Sequence, residues 1–87
     1  MTMRTHLTDV KLTDRGFERI EFPDRNGNLC TLQQSSAILD DRDVSASQPG
    51  SSGLWLGPAD QRMHLDRQMV VALIQRLREW LEGGRFV

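Results

Sequence analysis

This sequence has a single cysteine, a net charge close to zero and no long hydrophobic run. Its 87 residues include one cysteine, Cys30, which has no partner for an internal disulfide. A lone cysteine is typical of a protein kept in a reducing compartment. No segment approaches the roughly 18 consecutive apolar residues of a membrane-spanning helix, and the first ten residues lack the apolar centre of a secretory signal. We therefore expect a cytoplasmic protein that does not associate with membranes.

The charge balance excludes two further classes of protein. Eleven basic and twelve acidic residues give a formal net charge of −1. A general nucleic-acid binder shows a basic excess, and a mimic of DNA would show an acidic one. The hydrophobic fraction of 38% is that of a soluble globular protein, and the length predicts a single domain over residues 1–87.

One amphipathic helix is predicted over residues 66–82. Its apolar stripe consists of Met69, Val70, Leu73, Ile74, Leu77, Trp80 and Leu81, which fall on one side at 100° per residue. Asp66 is expected to cap its first turn, and Gly83 with Gly84 to end it. The apolar side of such a helix is expected to pack against another part of the protein. We favour Trp80 inside the core; the alternative places it at the margin of the stripe, where it contacts a partner together with Phe86.

Short strands are predicted before the helix, over residues 6–12, 17–22, 29–34, 54–57 and 61–65. Residues 13–16 form a turn, and the Asn26–Gly27 pair within residues 24–28 is a strong hairpin signal. Residues 45–53 are rich in serine and glycine, which predicts a flexible loop. The fold class is therefore α+β: a small antiparallel sheet of four to five strands, covered on one face by the C-terminal helix.

The polar residues of the later strands form the best candidate binding site. Arg62 offers a bidentate fork for phosphate, His64 an imidazole N–H donor, and Trp55 a stacking face for a base. Gln33, Ser35 and Ser36 end another strand and add hydrogen-bonding groups. Together these six side chains suit a nucleotide-like ligand. Residue chemistry alone favours the simpler alternative, in which Arg62 and His64 lie on a solvated face and Trp55 belongs to the core.

Catalytic and metal sites find no support in the sequence. Asp40, Asp41 and Asp43 lack the glycine and the distal glutamate of a calcium loop and are interpreted as a solvated acidic turn. His6, His64 and Cys30 lack the spacing of metal ligands. Cys30 is expected to be a small buried hydrophobe, and no glycine-rich phosphate loop is present. We expect no enzyme activity and no cofactor.

Several segments, in order, resemble a family of small proteins encoded in bacteriophage and prophage genomes. The matching segments are Arg15-Gly16-Phe17, Phe22 with Asp24-Arg25 and Gly27, Cys30 with Leu32-Gln33 and Ser35-Ser36, Trp55-Leu56-Gly57, and Arg62-Met63-His64-Leu65. They cover most of the chain except residues 37–53. Gln34 departs from the pattern, because many members would carry a basic residue there, so an anion site is less positive in this chain.

The resemblance implies a phage protein in the host cytoplasm without a settled activity, and small non-enzymatic phage proteins of this kind often counter host immunity. Two hypotheses differ in class. In the first, a homo-oligomer sequesters a cyclic nucleotide immune signal, with Arg62 and His64 at phosphate, Trp55 on a base or in the pocket wall, and Ser35 and Ser36 at sugar or phosphate. In the second, the protein inhibits a host defence protein directly, as anti-CRISPR proteins inhibit Cas effectors. The polar site residues favour the first, and a structural phage protein is the third possibility.

Overall fold

Five strands and one helix follow each other along the chain in the computed structural model, which describes residues 7–37 and 50–86. The elements are β1 (Lys11–Leu12), β2 (Glu18–Pro23), β3 (Leu29–Gln34), β4 (Gly53–Pro58), β5 (Met63–Asp66) and α1 (Arg67–Gly83). Each strand pairs antiparallel with the next, in the order β1-β2-β3-β4-β5. The predicted α+β class is confirmed: a five-stranded antiparallel sheet with a C-terminal helix packing against it.

The register of the sheet separates polar from apolar side chains. Lys11, Arg19, Gln33, Trp55 and His64 are successive cross-strand partners, and we call this line the polar row. The next line of partners is apolar and consists of Ile20, Leu32, Leu56 and Met63. Because side chains alternate between the two faces of a strand, adjacent lines belong to opposite faces. The polar row therefore lies on one face, and the apolar line on the other.

Two tight turns set this register, both where the sequence predicts them. Gly16 donates its backbone N–H to the carbonyl oxygen of Thr13 at 2.9 Å and has φ of 86°. In the β2–β3 turn Gly27 has φ of 87°, and the Asp24 carboxylate accepts the N–H groups of Asn26 and Asn28, each at 2.8 Å. Glycine reaches positive φ without steric cost. The two turns confirm the predicted positions of the hairpins.

Some element boundaries differ from the sequence-based prediction. The first strand is only Lys11–Leu12, although Thr8 still bonds the backbone of Glu21. The fifth strand starts at Met63, so Arg62 belongs to the preceding turn. Within the predicted flexible segment, residues 45–49 lie outside the described residues. Gly53 already belongs to β4, and Ser52 is buried.

The helix begins and ends as predicted. Asp66 has extended backbone angles, and its side chain accepts the N–H of Met69 at 2.8 Å, which satisfies one of the free donors of the first turn. Gly84 takes the left-handed conformation with φ of 73° and donates its N–H to the carbonyl oxygen of Trp80. Asp66 is also the last residue of β5. No linker therefore separates the edge strand from α1.

The direct join restricts how much of the sheet the helix covers. Val70, Val71 and Ile74 line a small cleft with Leu54 and Leu65, so the first half of α1 packs at the end of β4 and β5. No residue of α1 is buried, and most of the apolar stripe is exposed. The prediction that Trp80 lies in the core is wrong, because 49% of its surface is exposed. The helix runs on from an edge strand, and the distal half of the apolar stripe lacks a cover within the described chain.

Candidate functional site

Trp55 lies at the centre of the predicted site. Its ring stacks on the imidazole of His64, with centroids 3.9 Å apart and planes 10° from parallel. The two residues are direct partners of β4 and β5, which brings their side chains together on the same face. The guanidinium carbon of Arg62 lies 5.2 Å from the centre of the Trp55 ring, within the range of a cation–π contact. The tryptophan thus holds both basic residues in place.

Hydrogen bonds connect this group to the end of β3. Arg62 donates from Nη1 to Oε1 of Gln33 at 3.2 Å. His64 Nε2 and Ser35 Oγ are 2.8 Å apart, in a hydrogen bond whose direction depends on the imidazole tautomer. Ser35 Oγ also accepts the N–H of Ala37 at 3.1 Å. Ser35 is 2% exposed, so its hydroxyl orients His64 from below the surface.

An open cleft of about 580 Å³ lies beside these residues. Its lining includes Arg19 from β2, Thr31 and Gln33 from β3, and Trp55 from β4. The turns before β2 and β5 contribute three charged side chains, Asp14, Arg15 and Arg62. A volume of this size is within the usual range for small-molecule sites. With three arginines and one carboxylate in the lining, the cleft is suited to an anion.

Two polar atoms at the cleft lack hydrogen-bond partners. In the described part of the chain, the buried side-chain atoms without a partner are Arg19 Nε and Thr31 Oγ1. Thr31 is 1% exposed, while Arg19 uses Nη2 to bind Oε2 of Glu21 at 2.9 Å. Buried polar atoms in folded proteins are nearly always paired. An unpartnered donor and an unpartnered hydroxyl at one cleft therefore call for an explanation.

The structure brings the six predicted site residues together in two groups. Gln33, Ser36, Trp55 and Arg62 line the cleft. Ser35 and His64 bond to each other next to it, and His64 reaches the group through its stack on Trp55. The predicted alternative placed Arg62 and His64 on a solvated face and Trp55 in the core. It is met in part, because His64 is exposed and Arg62 half-buried, while Trp55 is half-buried and lines the cleft.

Sequence reasoning missed the contribution of Thr31 on β3 and of β2 with the turn before it. Arg15, Phe17, Arg19 and Thr31 all line the cleft, and the Arg15 guanidinium lies 5.9 Å from the centre of the Phe17 ring. A usable signal was present, because Phe17 and Arg19 are two residues apart in an extended segment and so share one face. Their significance depends on the pairing of Arg19 with Gln33. That pairing was not assigned from sequence.

The remaining candidates add no second site within the described part of the chain. Among residues 7–37 and 50–86, no three His, Cys, Asp or Glu side chains gather as a metal site. The predicted acidic turn at Asp40, Asp41 and Asp43 lies outside the described residues. Cys30 is buried, as expected, and its Sγ lies 3.6 Å from the carbonyl oxygen of Asn28. The described part of the chain contains no helix long and apolar enough to cross a membrane.

No family model, no curated protein and no solved structure matches the chain. The class is therefore defined by the fold and the site alone: a small α+β domain with an antiparallel meander and an arginine-lined cleft beside a Trp–His stack.

Proposed function

We propose that this protein is a non-enzymatic binding protein that sequesters a nucleotide-type ligand, and that it acts as a phage anti-defence sponge for a cyclic oligonucleotide immune signal. The observation that carries the proposal is the Arg62, Gln33 and Trp55 group at an open cleft that also contains Arg15 and Arg19. Arginine binds phosphate oxygens through paired donors. The phage setting rests on the resemblance in sequence alone.

Each side chain has a role under this proposal. Arg62 binds phosphate while Gln33 and Trp55 fix its guanidinium. Trp55 forms the pocket wall, because His64 already occupies a face of its ring. His64 donates to the ligand beside Trp55 and is oriented by Ser35. Ser36 is exposed at the cleft and bonds the sugar or phosphate.

Thermal unfolding with a panel of cyclic di- and trinucleotides tests the proposal. A ligand present at 100 times its dissociation constant adds about 2.7 kcal/mol to the free energy of unfolding. We expect at least one of these compounds to raise the melting temperature of the wild type and to leave that of Arg62→Ala unchanged. Arg78→Ala is the matched control, since Arg78 is an exposed arginine of α1. A panel that shifts nothing, or an Arg62→Ala protein that responds like wild type, contradicts the proposal.

The second candidate is an inhibitor that binds a host Cas or other defence protein. It is favoured by Trp80 and Phe86, two exposed aromatic residues near the end of α1, because aromatic side chains are enriched where protein partners bind. Inhibition of a purified Cas effector separates the two candidates. An inhibitor loses activity in Trp80→Ala and keeps it in Arg62→Ala. A sponge loses nucleotide binding in Arg62→Ala and keeps it in Trp80→Ala.

The sponge hypothesis also predicts a homo-oligomer. The exposed apolar stripe of α1 supports it, since exposed apolar patches mark association surfaces. Light scattering coupled to size exclusion should give a mass of at least twice the 9.9 kDa of one chain. Substitution of Leu77 by glutamate should reduce that mass, whereas Gln75→Glu on the opposite side of α1 should not. A monomeric wild type contradicts this part of the proposal.

A further inference from the structure

Arg19 Nε and Thr31 Oγ1 are the starting point for a more specific assignment. Both atoms are buried and without a hydrogen-bond partner, and both residues line the cleft. Arg19 is paired with Gln33, and Thr31 with Glu21. The two residues are therefore diagonal neighbours on the same face of β2 and β3, a separation that side chains of this length can bridge.

Glu21 explains how the Arg19 donor is held. Its carboxylate binds Arg19 Nη2 at 2.9 Å, which fixes one end of the guanidinium and leaves Nε unused. Glu21 is not among the residues of the cleft lining, so we treat it as a positioning residue. The charged groups in the lining are Asp14, Arg15, Arg19 and Arg62. Their summed charge is positive, and it remains positive when the Glu21 carboxylate is counted as well.

The chemistry of the two free atoms limits what they can bind. A guanidinium Nε has a proton to donate and no acceptor capacity, while a threonine hydroxyl can donate one hydrogen bond. Two donors with a neighbouring cationic arginine suit an oxygen with spare lone pairs and negative charge. Hydrogen bonds from a charged donor to phosphate are about twice as strong as those between neutral groups. A phosphate oxygen has both the spare lone pairs and the negative charge.

We infer that Arg19 Nε and Thr31 Oγ1, which are buried in the free protein, form an anion subsite that opens to a phosphate group of the nucleotide ligand when the partly exposed Arg19 side chain shifts. The inference rests on the proposed function and adds a second phosphate contact to it. Arg62 Nη1 is bonded to Gln33 Oε1, and Gln33 is the direct cross-strand partner of Arg19. The Arg62 guanidinium and the subsite therefore lie near each other in the cleft, which suits a ligand with two linked phosphate groups.

The probe for the subsite is inorganic pyrophosphate, followed by the Arg19 Nε–H resonance in nitrogen–proton correlation spectra. The resonance is assigned by its loss in Arg19→Lys, which keeps the charge and removes the Nε donor. We expect it to shift saturably with pyrophosphate and to stay in place with sodium chloride of equal ionic strength. We also expect Arg19→Lys and Thr31→Val to weaken pyrophosphate binding about tenfold each, as loss of a hydrogen bond to a charged group predicts.

Thr31→Val also distinguishes a binding role from a structural one. Because Oγ1 has no partner in the free protein, removing it should leave the melting temperature unchanged or higher. A lower melting temperature would mean that the hydroxyl has a structural partner. That result would overturn the inference. So would pyrophosphate binding that is the same in Thr31→Val and wild type, or an Arg19 Nε–H resonance that does not move.

The failure of the inference and that of the proposed function give different results. If cyclic dinucleotides bind the wild type, Arg19→Lys and Thr31→Val equally, the sponge proposal stands and the subsite is refuted. If pyrophosphate binds in an Arg19- and Thr31-dependent manner and no cyclic nucleotide binds, the subsite stands and the sponge proposal fails. Sulfate bound as tightly as pyrophosphate would indicate a general anion patch and refute the phosphate assignment.

Discussion

Replacement of Ser35 by alanine is the sharpest test of how the site is built. Ser35 Oγ takes part in two hydrogen bonds, one with His64 Nε2 at 2.8 Å and one from the N–H of Ala37 at 3.1 Å. Ser35 is almost completely buried, so water cannot replace the lost oxygen. Each such hydrogen bond contributes about 1 kcal/mol. The free energy of unfolding should therefore fall by about 2 kcal/mol.

Urea unfolding at neutral pH measures this loss. In a domain of this length, 2 kcal/mol corresponds to a melting temperature lower by roughly 8 to 16 °C. The near-UV circular dichroism of Trp55 should weaken as well, because the released His64 no longer stacks firmly on it. A Trp80→Phe background removes the signal of the second tryptophan.

Ser36→Ala is the control, since it makes the same change one residue away at an exposed position. Exposed substitutions of this kind usually stay within about 0.5 kcal/mol. Equal stabilities of Ser35→Ala and Ser36→Ala would refute the role given to the Ser35 hydroxyl.

Three further predictions concern the β2–β3 turn, the start of α1 and strand β4. Hydrogen bonds from Asn28 lower the pKa of the Asp24 carboxyl. The stability it contributes should be present above the unfolded-state pKa of 3.8 and be lost as pH falls through the lower folded-state pKa, and acid unfolding of Asp24→Asn should lack this component. Asp66→Ala should cost about 1 kcal/mol through loss of the helix cap, measured by urea unfolding, and Asp66→Asn should keep most of it. Gly57→Ala should destabilise by roughly 1–3 kcal/mol, because φ of 133° is unfavourable for any residue with a Cβ; unchanged stability would show that β4 relaxes there.

The secondary structure of this chain could largely be predicted from its sequence, because it depends on local patterns. Alternation of apolar residues marks the central strands, and Asn26–Gly27 marks the hairpin. Asp66 and Gly84 bound the helix through interactions within a few residues of themselves. The four later strands were located to within about two residues, as is usual for element boundaries.

The predicted part of the site was chosen by side-chain chemistry, including Gln33, Ser35 and Ser36 at the end of a distant strand. Arg62 and His64 are two residues apart, and Trp55 belongs to the adjacent strand of the same hairpin. Arg19 and Thr31 were missed because the alternation that places each on one face of its strand does not show which residues it lies against. Their significance comes from the pairing of β2 with β3 and from the atoms left unpartnered there.

The sequence alone determined the class of the fold, the helix with its two ends and the identity of the basic and aromatic site residues, since each follows from local propensity or side-chain type. Only the tertiary structure decided the alignment of the polar row, the stacking of His64 on Trp55 and the exposure of Trp80. The physical reason is that register and coverage are set by contacts between distant segments. Asp66 joins the edge strand to the helix without a linker, so the direction of α1 follows from the end of the sheet.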